Sequence, residues 1–286
     1  TYHGRIGKAM IGSVLGAVIN IILDPIFISV LGLGAGGAAT ASVIGYIFTD
    51  AYFTWFLLKR SKKLSVNPKG FYIKADELKP IFAIGIPASI TNLMQSFGIM
   101  MTNRFLLPYG NEKVAAMGIV MKVNMIAVLV LVGFAFGGQP LIGYNYGANN
   151  KKRLKDILAF CYKFECGLAA VLAVILCVAA KPLIQLFMDQ PEIVSAGVSM
   201  LRFQQLGMIF IAIVLVTTCT FQSAGKASGA FWLSVSRQGL IFAVVIFVAS
   251  KAIGYNGVIA AQPVSDFLTA MLAVVLFKKQ LGGFFK

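Results

Sequence analysis

Apolar residues along the chain gather into stretches of about 20, the length an α-helix needs to cross a bilayer. These stretches fall at 6–30, 35–58, 81–107, 114–138, 157–179, 197–221, 229–250 and 256–277, which predicts eight membrane-spanning helices and no strands. The segment 59–80 is different: it is rich in Lys and holds the breakers Asn67-Pro68 and Lys79-Pro80, so it reads as a connector. Its Phe71, Tyr72, Ile73 and Leu78 among charged neighbours predict either a short interfacial helix or a solvated tether.

An internal echo organises the spans. Gly7-Lys8-Ala9 recurs 218 residues later as Gly225-Lys226-Ala227, and Gly34, Gly37 and Ala41 match Gly254, Gly257 and Ala261 at a spacing of 220. The first two spans therefore look like copies of the last two, with four spans between them, and the repeating unit is six helices. Two such units are related by an axis along the membrane normal, with a central cleft between them. The expected architecture is all-α and integral to the membrane, with eight helices of a twelve-helix, two-lobe protein. Residues 1–58 are the last two helices of the first lobe, 59–80 the link and 81–286 the complete second lobe. The opening Thr1, in place of an initiator Met, and the absence of a signal peptide fit a start inside a longer protein.

Composition settles the solvent. With 58% hydrophobic residues, 12% charged and a mean hydropathy of +0.84, the chain is far more apolar than a soluble domain of its size. The net charge of +15 then sets the orientation. Lys and Arg crowd 59–80, 151–155 and both chain ends, whereas the alternate loops hold only Lys113, Lys181 and Lys251. Short basic loops stay in the cytoplasm, so both ends are placed there. Nucleic-acid binding is a poor account of charges that recur at every second loop with no aromatic-basic platform. Cys161, Cys166, Cys177 and Cys219 form no C-x-x-C, and His3 is the only histidine. Neither a zinc site nor a disulfide framework is expected. Without a nucleophile-base pair or a phosphate loop, no enzyme, metal or cofactor is expected.

Asp24 is the residue with most to explain. An ionised carboxylate in a bilayer helix costs about 2.5–3.5 kcal/mol even on the lenient insertion scale, so such groups face a cavity or a partner. Asn20 lies one turn back on the same face. Pro25 has no N–H and collides with the carbonyl of Ile21, so the backbone beside the acid is prone to kink. An acid, an amide and a helix break predict a proton or cation site. Asp50, Glu165 and Asp266 lie nearer the cytoplasmic ends of their spans, where side chains reach the interface, and structural roles are expected for them. Pro87 and Pro263 join Pro25 as candidate hinges.

A substrate path is harder to place. Span three carries Asn92, Gln95, Ser96, Thr102 and Asn103 with Met94, Met100 and Met101; span four adds Met117, Met121 and Met125. Unbranched, polarisable Met suits a cavity that accepts varied apolar ligands, and equally serves as packing filler. Lys122 and Arg237, about eight residues inside their spans, fit a cavity role, a tethering salt bridge or snorkelling.

Four strings carry a resemblance across the whole chain: Asn20-Ile-Ile-Leu-Asp24-Pro25, Gly85-Ile-Pro87, Gln139-Pro140-Leu-Ile-Gly-Tyr-Asn-Tyr-Gly147 and Phe221-Gln-Ser-Ala-Gly-Lys-Ala227. Together they are similar to the multidrug and toxic compound extrusion (MATE) family, whose members have twelve helices in two six-helix lobes. The resemblance implies that Asn20 and Asp24 belong to a coupling site in the amino-terminal lobe, completed by a hydroxyl from Thr40 or Ser42 and by an acid of the first helix, outside this sequence. In another branch a carboxylate couples through the second lobe. Here that position is Gln95, which cannot change protonation state, and 197–221 holds no acid. The implied function is secondary active export of small amphipathic organic compounds across a bacterial or archaeal plasma membrane by alternating access, driven by protons or sodium. A lipid-linked saccharide flippase of the same superfamily is the alternative, kept open by Lys122, Arg202 and Arg237. A non-transporting scaffold has no use for the Asn20-Asp24-Pro25 group.

Overall fold

The structure is a computed structural model and describes residues 3–60 and 75–285. The interfacial stretch around Phe71, Tyr72 and Ile73 lies outside the described residues; Leu78 falls in a helix. The chain forms two compact units, Thr1–Lys74 and Ala75–Lys286.

In the first unit, α1 (His3–Pro25) passes into a π-helical turn (Ile26–Val30), and α2 (Gly34–Arg60) runs back. The predicted break at Pro25 thus takes the form of one widened turn, a device common at functional sites. Gly32 and Gly34, at φ 65° and 53°, make the reversal, a conformation that costs an L-residue a Cβ clash. Small residues then let the helices approach. A Cβ on Gly16 would collide with the Thr49 hydroxyl, and one on Gly45 would stand 2.8 Å from the Gly16 carbonyl oxygen. Close backbone contact of this kind is what holds helices together in lipid, where burial of apolar surface gives no net drive.

The second unit comprises α3 (Ala75–Leu106), a 3-10 turn (Leu107–Tyr109), α4 (Asn111–Gly147), α5 (Lys151–Val178), the short α6 (Ala180–Gln185), α7 (Pro191–Gln205), α8 (Met208–Ser223), α9 (Ala227–Val235), a π turn (Ser236–Leu240) and α10 (Ile241–Phe285). Asn149 at φ 54° and the Asn150 side chain, which accepts from the Arg153 N–H at 3.3 Å, close α4 and cap α5.

Among the described residues, five helical segments are long and apolar enough to span a bilayer, and α7 with α8, bent by 48°, makes a sixth. The 59-residue run Ala227–Phe285 is itself two passes, because Ile253 and Gly254 (φ 60°) leave helical geometry. With the 32-residue α3 the count is eight, as the apolar pattern predicts, and the described residues hold no strand. Leu106, Met117, Val120, Ile184, Met200 and Phe242 knit one end of the second unit. Phe221, Leu233 and Leu281 knit the other.

Candidate functional site

Helical spacing brings Asn20 over Asp24, and the Gly32–Gly34 reversal brings Ser42 of α2 against Asn20. Turned to satisfy both of its groups, the Asn20 amide donates from Nδ2 to Asp24 Oδ2 at 3.3 Å. Its oxygen then accepts from the Ser42 N–H (3.1 Å) and hydroxyl (3.2 Å). With the amide reversed, Nδ2 reaches Ser42 Oγ at 3.2 Å and Asp24 Oδ1 at 3.5 Å, so both orientations keep contact with both partners. Asp24, Asn20 and Ser42 are all half-buried. No Lys or Arg pairs with Asp24 among the described residues. Thr40 is not part of this group: it is exposed, and its hydroxyl donates to the Gly36 carbonyl of its own helix at 2.6 Å.

The second unit holds a different acid. Asp266 is 1% exposed and bonded to Arg237, whose Nε donates to Oδ1 at 2.8 Å, while Gln262 Nε2 donates to the same oxygen at 3.1 Å. Ser265 donates to the Arg237 carbonyl at 2.8 Å, a carbonyl inside the π turn. One expectation is corrected here: Asp266 does not reach an interface, because the kink at Gly254 folds α10 back and buries its face. Of the roles open to Arg237, the structure shows the tethering salt bridge, to Asp266. Pro263 is buried within helical backbone, and the departures from helix lie elsewhere, at Gly254 and at Leu206–Gly207. A Cβ on Gly207 would stand 3.0 Å from Asp266 Oδ2 and 3.2 Å from the Pro263 Cα, so the α7–α8 bend is packed directly on the ion pair.

The sequence reading misses an amide cluster beside that bend. Asn124 Nδ2 donates to Gln204 Oε1 and Gln205 Nε2 to Asn124 Oδ1, each at 3.4 Å. Gln205 Oε1 is buried without a partner among the described residues. Adjacent glutamines just before Leu-Gly are the signal that could have revealed it.

The residues assigned to a substrate cavity do not form one within this unit. Asn92 and Gln95 are exposed on α3; Met94 packs against the backbone of Gly239; Met121 leans on the Met117 core; Lys122 is exposed. Pro87 lies in helical backbone of α3. A hollow of about 820 Å³ instead opens between α4, α5 and α8, lined by Phe134, Gly137, Gly138, Phe160, Phe164 and Glu165 among others. Glu165 corrects a further expectation: it is 2% exposed, with no partner for Oε1 among the described residues, and does not reach an interface. Asp50 is exposed on α2.

Multidrug export protein MepA of Staphylococcus haemolyticus (strain JCSC1435) is 31% identical over 274 residues, covering 95% of this chain and 60% of that protein. MepA of Staphylococcus aureus (strain MSSA476) is 30% identical over 268 residues, covering 94% and 59%. The chain therefore spans about 60% of the length of these relatives. Its backbone matches the crystal structure of MATE in the straight conformation with a TM-score of 0.87 at 23% identity, over 97% of this chain and 63% of that one. It matches the outward-facing conformation of a multidrug resistance MATE family transporter of the MOP superfamily with a TM-score of 0.86 at 22% identity, over 96% and 62%. These structural likenesses carry the fold, and the MatE family model matches residues 87–255. By that match, which covers more than half of its length, the chain belongs to the MATE family of multi-pass membrane transporters.

Proposed function

We propose that the chain serves a secondary active multidrug exporter in which Asp24 takes up a proton or sodium ion in exchange for an amphipathic organic compound. The observation that carries this reading is the Asn20–Asp24–Ser42 group: an acid without a cationic partner among the described residues, beside a π turn, joined to the next helix through one reversible amide. While Asp24 is ionised, its carboxylate only accepts hydrogen bonds, and Asn20 must present its NH₂ to it. A proton on Asp24 turns the acid into a donor, which favours the amide oxygen. The amide then rotates, the Ser42 N–H loses its acceptor, and the register between α1 and α2 is biased toward a second arrangement. Sodium would instead draw on the carboxylate, the amide oxygen and the Ser42 hydroxyl, a hard-oxygen set. The MepA relatives are multidrug export proteins, which supports drug-like cargo. The flippase alternative loses support, since Arg237 is paired with Asp266 and Arg202 Nε donates to the Cys177 carbonyl at 3.3 Å.

The test is Asp24→Asn in the protein as its cell makes it. Ethidium efflux should fall to background while membrane insertion and a monodisperse elution profile persist, because removing an intramembrane charge eases folding. Efflux at the wild-type rate would end the coupling role. The orientation with both ends cytoplasmic is tested by cysteines: one at Gly110 or Gln190 should react with an impermeant maleimide from outside intact cells, and one at Asn149 should not. The opposite pattern would invert the topology.

A further inference from the structure

The hollow between α4, α5 and α8 has a chemical character of its own. Its wall is aromatic and apolar: Phe134 and Phe164 have ring centroids 4.8 Å apart and Phe160 stacks on Phe164 at 5.7 Å. Gly133 and Gly137 leave open space where a Cβ would stand. Into this wall the chain sets the carboxyl of Glu165, 2% exposed, with no partner for Oε1 among the described residues. Asp156 and Arg153, both exposed, line the far end, about 14 Å and about 18 Å from Glu165 along α5 at a 1.5 Å rise per residue.

We propose that this hollow is a binding site for an amphipathic organic monocation with a flat aromatic body, its charge against Glu165 and its rings among Phe134, Phe160 and Phe164. The volume, about 820 Å³, matches sites that enclose drug-sized molecules. A carboxylate oxygen with no partner in an apolar setting is costly, and an organic cation set against it lowers that cost. A lipid acyl chain fills the same space but leaves Oε1 unbonded. The Phe faces attract positive charge as well as apolar rings. The site deepens the efflux reading and rests on it for the ligand's standing as cargo. The binding itself is separable, because every lining residue belongs to the second unit.

The experiment uses the whole chain in lipid nanodiscs without any ion gradient, with rhodamine 6G as the cationic probe and Nile red as an uncharged one, both read by fluorescence anisotropy. Glu165→Gln should weaken rhodamine 6G at least tenfold and Nile red less than twofold; Phe164→Ala should weaken both. In a variant keeping only Cys161 of the four cysteines, which lines the hollow, bound rhodamine 6G should slow N-ethylmaleimide labelling several-fold. This second reading holds even where Glu165→Gln fails to fold. Asp24→Asn should bind rhodamine 6G normally, which separates failure of coupling from failure of this site. Unchanged rhodamine 6G affinity in Glu165→Gln, or Cys161 protection by added phospholipid but not by the dye, would overturn the proposal and make the hollow a lipid crevice.

Discussion

Gly34 opens α2 at φ 53°, and Gly254 opens the second half of α10 at φ 60°. Three residues on, a Cβ at Gly37 would stand 2.6 Å from the Phe27 carbonyl oxygen and one at Gly257 would collide with the Ala249 carbonyl. One turn further, Ala41 and Ala261 are both fully buried. The 220-residue echo is thus a repeated joint, in which a left-handed glycine reverses the chain and a second glycine lets the returning helix lie on the carbonyls of the first. The acids do not repeat. Val244 stands 220 residues after Asp24, and Tyr46 stands 220 before Asp266. Packing geometry is shared between the two helix pairs, whereas charge was placed in each separately and treated in opposite ways: Asp266 is sealed and neutralised, Asp24 is half-exposed and, among the described residues, bonded to an amide and to no cation.

The largest effect should come from breaking the sealed pair. Arg237→Ala leaves Asp266 buried and uncompensated, at a cost of about 3–5 kcal/mol, and should lower the unfolding temperature of the detergent-purified protein steeply or prevent its isolation. Arg237→Met combined with Asp266→Leu should recover most of that loss, since replacing both partners by apolar groups is often near neutral. Asp24→Ala should cost far less in the same assay. Equal losses at the two acids would erase the distinction between tether and working acid.

What the sequence disclosed follows the range of the physics involved. Asn20 and Asp24 were legible as a pair because one helical turn is a local rule, and the joint glycines were legible because they recur. The choice of Ser42 over Thr40 was not, since it depends on how far the Gly32–Gly34 reversal rotates α2. The Arg237–Asp266 bond joins residues 29 apart and needs the Gly254 kink, which no period in the apolar pattern announces. Glu165 was read by its depth in the span alone, yet its surroundings are set by Gly133, Gly137 and Gly138 on another helix, whose missing side chains make the hollow beside it. The amides at 204–205 carry no charge, so they stand out little in the run 197–221, and their partner Asn124 lies 80 residues away on another helix.

The repeated joint can itself be graded. Gly257→Ala should cost about 1–3 kcal/mol, as overpacking does, because the Ala249 carbonyl is backbone and cannot rotate away. Gly37→Ala should cost less, since its contact is the looser one and the preceding π turn has room to adjust. The comparison is read from the two unfolding temperatures. A larger loss at Gly37 would mean that the first helix pair is the more tightly joined of the two, against the idea that it is the pair that moves.

The smallest effect is expected at Ser42, and it bears most directly on how Asp24 communicates with α2. Ser42→Ala removes the hydroxyl that donates to the Asn20 amide oxygen at 3.2 Å but keeps the N–H that donates at 3.1 Å. A single neutral hydrogen bond contributes about 0.5–1.5 kcal/mol, so the proton or sodium concentration giving half-maximal ethidium efflux should shift by tenfold at most, with the maximal rate kept. Thr40→Ala should shift nothing, because that hydroxyl only bonds the Gly36 carbonyl one turn back. Loss of efflux in Ser42→Ala as complete as in Asp24→Asn would make the hydroxyl a direct ligand of the coupling ion, which points to sodium. A normal response in Ser42→Ala together with a large shift in Thr40→Ala would move the relay to the exposed face of α2 and leave Asn20 as a local brace for Asp24.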